Sequence, residues 1–95
     1  MSVSALSGAL LRVAASSKLP TEIFGKVLQE LRLGQGLTQD KLAELANTER
    51  SHISALERAE KGPALATIFS LAAALRIPAS ELIGLVEQRI SAESL

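Results

Sequence analysis

From Thr21 onward, apolar residues recur with helical spacing. Ile23, Val27 and Leu31 are four apart, and Phe24 and Leu28 lie beside them on the same face. This pattern predicts an amphipathic helix that Thr21 caps after Pro20 and that Gly34 and Gly36 terminate. Thr38 is a second start signal. Leu42, Ala43 and Ala46 then form the inward face of a short helix, which Asn47 stops because Asn suits a positive φ in a tight turn. Thr48 is read as the cap of a third helix running from about Thr48 to Arg58, with Ile53 and Leu56 inward. After Lys61-Gly62-Pro63 a fourth helix carries Leu65, Ile68, Phe69, Leu71, Ala72 and Leu75, and Pro78 opens a fifth with Leu82, Ile83, Val86 and Ile90. Leu6, Leu10 and Val13 predict a weaker helix between Val3 and Ala15, diluted by Ser and Gly.

The expected fold class is therefore all-α: one compact five-helix domain with an additional N-terminal helix. Residues 1–20 read as an N-terminal extension, 21–82 as the domain, and 83–95 as the end of the C-terminal helix and a dimerisation segment. Composition fits this picture. The chain has 95 residues, enough for one domain, and 47% of them are hydrophobic. Phe24 and Phe69 are its only aromatic residues, so the core must be built from Leu, Ile, Val and Ala.

Charge and chemistry narrow the function. Ten basic residues balance ten acidic ones, so any nucleic-acid contact must come from a local basic face rather than from global attraction. The lack of cysteine excludes disulfides and thiolate metal sites, and His52 is the only histidine, which leaves it no metal partners of the usual kind. Ser51 and Ser54 have no recognisable base with a positioning group, so no enzyme, metal or cofactor is expected. The first twenty residues have the small, apolar character of a secretory signal. No basic residue precedes their apolar stretch, however, and Arg12 interrupts it, so a soluble cytoplasmic chain without a membrane span is expected.

The informative segment runs from Gly36 to Arg58. Ala43 is small where two helices would cross, Asn47 makes the turn, and Leu42, Ala46, Ile53 and Leu56 lock the pair to the core. Together with Leu31-Arg32, Leu37-Thr38-Gln39, Ile53-Ser54, Glu57-Arg58, Pro63, Leu65, Leu71-Ala72, Ala74-Leu75 and Leu82, this segment resembles the phage repressor and Cro type of helix-turn-helix, often called XRE-like. Two departures stand out, because that family usually has Gly where Asn47 and Ala59 stand here. Ala59 implies either that the third helix runs on toward Glu60 or that the loop before Pro63 takes another path.

The resemblance implies a lambda-repressor-like domain that lays its third helix in the major groove of double-stranded DNA. Glu49, Arg50, Ser51 and Ala55 would then take base-reading positions. Gln39 would meet a phosphate or an outer base, and His52, Arg58 and Lys61 would lie near the DNA backbone. Arg50 could bond guanine with two donors; Glu49 could accept from cytosine, repel phosphate, or merely favour the helix dipole. Arg32 and Glu57 resemble a partly buried structural ion pair. A transcriptional regulator acting on a short palindromic operator is the expected function, with an antitoxin-like or protein-interaction module on the same fold as the alternative. A homodimer is expected because Leu82, Ile83, Val86 and Ile90 continue an apolar stripe that a monomer would leave wet, with Leu6, Leu10 and Val13 as a second candidate surface.

Overall fold

The computed structural model describes residues 18–93, which form five helices: α1 (Lys18–Gly34), α2 (Gln39–Leu45), α3 (Arg50–Glu57), α4 (Leu65–Ala74) and α5 (Ala79–Glu93). The helix expected between Val3 and Ala15, with its candidate surface, lies outside the described residues. Ile23, Leu28, Leu42, Ile53, Leu56, Leu71, Leu75 and Leu82 are the largest fully buried side chains, and every described helix contributes to this set. α1 packs against α3 and α5, α2 against α3 and α4, and α4 against α5. No single described helix is long and apolar enough to cross a membrane.

Helix starts differ from the sequence reading in two places. α1 already includes Lys18, so Pro20 falls in its first turn, where a missing N–H is harmless, and Thr21 lies inside the helix rather than capping it. α3 starts at Arg50, not Thr48. Glu49 holds the N-cap position with extended backbone and no side-chain capping bond, while the Thr48 hydroxyl is hydrogen-bonded to Nδ1 of His52 at 2.9 Å. Thr38 caps α2 as expected, its hydroxyl accepting from the Lys41 N–H at 3.0 Å.

Four helices end in one way. Gly36, Asn47, Ala59 and Arg76 all have φ between 56° and 70° and close α1, α2, α3 and α4 respectively. At α3 the Ala59 N–H bonds to the Leu56 carbonyl and the Glu60 N–H reaches back to Ala55, which satisfies two carbonyls the helix would otherwise leave open. Thr48 to Ala43, Ile77 to Ala72 and Leu37 to Arg32 repeat the longer of these bonds. Ala59 thus does the work of the usual glycine. α3 does not run on toward Glu60, because these backbone bonds hold Ala59 in the left-handed region despite its Cβ.

The C-terminal helix corrects the expected dimer stripe. Leu82, Val86 and Ile90 are buried within the single chain, 0%, 8% and 6% exposed, because α5 folds back on α1 and α4. Of the four residues expected to be wet, only Ile83 is exposed, at 44%. Among the described residues, the large apolar side chains most open to solvent are instead Leu65 and Phe69 of α4 and Leu33 at the end of α1.

Candidate nucleic-acid interface

α3 presents its first turn to solvent because its back is anchored. Ile53 and Leu56 are fully buried, while Glu49, Arg50 and Ser51 are exposed at the N-terminal end and Ala55 is half-buried one turn later. Glu49, Ser51, His52, Ala55 and Lys61 line one open depression beside the α2–α3 turn. Arg50 faces another neighbour. Its Nη1 donates to Oε1 of Gln39 at 3.3 Å, and its Nε lies 3.8 Å from Oδ1 of Asp40, both on the first turn of α2.

The anchor behind this face is polar. Nε and Nη2 of Arg32 donate to the two carboxylate oxygens of Glu57 at 2.6 and 3.0 Å, and Nη1 donates to the Leu37 carbonyl at 2.8 Å. Both side chains are nearly excluded from water, 8% and 2% exposed. The hydrogen bond to Glu57 holds the Arg32 guanidinium more firmly charged than an ordinary arginine, against the opposing effect of its burial. Glu57 accepts a further bond from Nε2 of Gln39 at 3.0 Å. The pair therefore joins the end of α1, the end of α3 and the start of α2, and among the described residues no buried side-chain nitrogen or oxygen lacks a partner.

A close approach fixes the same junction from the other side. Gly25 of α1 is buried, and a Cβ built there would stand 2.6 Å from the Leu56 carbonyl oxygen and 2.8 Å from that of Glu57. The last turn of α3 can rest on α1 only because position 25 has no side chain.

The remaining residues named from the sequence are dispersed around this face. His52 is half-buried, its Nδ1 taken up by Thr48. Arg58 is exposed and paired with Glu60 at 3.1 Å, and Lys61 is exposed in the loop before Pro63. Gln39 is half-buried, its amide shared between Glu57 and Arg50. Sequence reasoning missed Asp40 and Gly25. An acidic residue in the first turn of a helix reads as a dipole partner, and a helical glycine reads as a weak spot; neither carries a spacing signal for a contact between helices. Among the described residues no group of three or more His, Asp or Glu is placed to hold a metal ion.

A helix-turn-helix family model matches residues 28–82, more than half of the chain. The immunity repressor protein of Bacillus phage phi105 is 38% identical over 60 residues, 63% of this chain and 42% of that protein. The chain thus matches less than half the length of the phage repressor. An uncharacterised HTH-type transcriptional regulator of Sinorhizobium fredii is 31% identical over 62 residues, 65% of this chain and 80% of that protein. Among solved structures, the restriction-modification controller protein C.AhdI of Aeromonas hydrophila superposes with a TM-score of 0.63 at 40% identity, covering 65% of this chain and 94% of the controller.

Proposed function

The chain belongs to the phage repressor and Cro type of helix-turn-helix family, and from that premise we propose that it is a sequence-specific transcriptional regulator reading a short, near-palindromic operator as a homodimer. The observation that carries this reading is the build of α3. Its exposed first turn offers Glu49, Arg50 and Ser51 while Ile53, Leu56 and the Arg32–Glu57 pair hold its back rigid. Arg50 reads a guanine, since a guanidinium can meet O6 and N7 with two donors; Glu49, Ser51 and Ala55 face the adjoining bases. Lys61, Arg58 and Gln39 lie toward phosphates, and the half-buried His52 acts through Thr48 more than through DNA.

A two-fold operator asks for a two-fold protein. With Leu82, Val86 and Ile90 consumed by the core, the partner copy is taken up by three of the five large apolar residues left exposed among the described residues, Leu65 and Phe69 of α4 and Ile83 of α5. The similarity to a phage repressor and to a controller protein supports a regulatory role for the DNA contact. The neutral overall charge favours a second reading, a module whose main partner is another protein.

Selection of bound duplexes from a random pool separates the two. Enrichment of a near-palindrome with guanine at symmetric positions supports the regulator. Arg50→Ala should then lose about 1–3 kcal/mol per half-site on that operator and relax discrimination at one base pair, whereas Lys61→Ala should weaken all sequences alike. A pool that emerges unenriched leaves the protein-partner reading in possession.

A further inference from the structure

Two acceptors on the first turn of α2 converge on a single guanidinium on α3. Gln39 Oε1 takes a hydrogen bond from Nη1 of Arg50 at 3.3 Å, and Asp40 Oδ1 stands 3.8 Å from its Nε. The two acceptors differ in how they are held. Gln39 is fixed from behind, because its Nε2 donates to Glu57 and Glu57 is locked by two bonds from Arg32. Asp40 is 80% exposed and supplies a full negative charge. The hydrogen bond occupies one Nη1 hydrogen and the Asp40 carboxylate stands beside Nε as an ion-pair partner, which leaves the second Nη1 hydrogen and both Nη2 hydrogens for an incoming base edge.

We infer that Asp40 is a specificity-determining positioning residue, which with Gln39 cradles Arg50 so that its end-on fork is presented to one base pair and its charge is withheld from phosphates. This inference rests on the proposed DNA reading and goes beyond it, since it assigns the selectivity of the contact to a carboxylate that never touches a base. An unrestrained arginine has three or four rotatable bonds and attaches readily to the nearest phosphate, which attracts it equally on every sequence. A carboxylate beside Nε opposes that in two ways: it shortens the list of rotamers the side chain visits, and it repels the phosphate that would capture it. The correct base pair then gains the pre-aimed fork, while a random duplex meets an arginine already engaged.

The test is a cycle of four proteins, wild type, Asp40→Asn, Arg50→Ala and the double variant, titrated by fluorescence polarisation against the selected operator and a scrambled duplex. Asn keeps the size of the side chain and one acceptor oxygen while removing its charge. Asp40→Asn should tighten the scrambled duplex by roughly two- to five-fold and lower the ratio of operator to scrambled affinity by a similar factor. In the Arg50→Ala background the same change should leave that ratio where it is. A ratio unmoved by Asp40→Asn, or moved equally with and without Arg50, overturns the inference. The Nε–H signal of Arg50 in the free protein reports the contact without DNA: it should shift with Asp40→Asn, and a signal that stays in place also overturns the cradle. If wild type prefers no duplex while the signal does shift, the DNA reading has failed and the specificity role fails with it, although the contact itself stands.

Discussion

The positions that set the geometry of the reading face are small residues in crowded places. Gly25 is the sharpest case. Alanine would gain up to about 1 kcal/mol of helix propensity over glycine, but its Cβ would fall 2.6 and 2.8 Å from two backbone carbonyls of α3, and backbone cannot swing aside as a side-chain tip can. Overpacking of this kind costs about 1–3 kcal/mol, so it outweighs the propensity gain. Gly25→Ala should lower the urea midpoint by a corresponding amount and weaken operator binding beyond what the stability loss explains, because α3 is pushed off its seat. Gly34→Ala, where a Cβ would meet nothing within 4 Å, is the control: it should hold or slightly raise the urea midpoint and leave operator binding unchanged. The sequence assigned Gly34, with Gly36, to the end of the helix, but it carried no sign that Gly25 meets another backbone, because only the position of the neighbouring helix shows that. Arg32 and Glu57 were legible by contrast: each adjoins an apolar position on its own helix and matches a familiar pairing.

At the scale of whole elements, the spans of the helices followed from periodicity, and the errors gathered at their ends. Thr48 looked like a cap because Thr caps many helices, yet its hydroxyl bonds His52 and α3 starts two residues later. Ala59 was the opposite case, a residue with the wrong local preference whose backbone bonds prevail. Apart from Arg32 and Glu57, the pairing of side chains between helices was not legible. Arg89 of α5 donates to both carboxylate oxygens of Glu30 on α1, at 2.6 and 3.2 Å, across 59 positions of sequence. The hydrogen bond from Arg89, ahead of its Coulombic attraction, holds the Glu30 carboxyl below its ordinary value of 4.5. The folded protein therefore binds that proton more weakly than the unfolded chain does. The brace contributes fully above about pH 4.5 and is lost as pH falls through the depressed value. Arg89→Ala should accordingly lower stability more at pH 6 than at pH 3. Because the pair is open to solvent, added salt should narrow the difference; an effect equal at both pH values would show that Arg89 acts by packing alone.

For the molecule as a whole, the pattern led to the right fold but the wrong outer surface. An apolar residue on a helix is buried or bare according to where its neighbours lie, and the stripe of Leu82, Val86 and Ile90 is covered by the fold-back of α5, while Leu65 and Phe69 of α4 are left 72% and 59% exposed. On the proposed dimer, replacing Phe69 with Ser should shift the sedimentation of the protein toward monomer and weaken operator binding, while the urea midpoint at concentrations low enough for both proteins to be monomeric stays unchanged. A variant that stays dimeric would direct attention to Ile83. Three cations on and around α2 and α3 are already paired within the chain. Lys41, Arg50 and Arg58 each lie within 4 Å of a carboxylate of the same chain, Glu44, Asp40 and Glu60 respectively. These anions are tethered, so they act as built-in counterions. On the proposed DNA reading, a phosphate that pairs with Lys41 or Arg58 still releases the cation condensed on it, but it leaves Glu44 or Glu60 uncovered on the protein, and that anion draws a cation back. The gain in mixing entropy that usually drives such complexes is correspondingly smaller, and binding at this face should depend less on ionic strength than its number of cations implies.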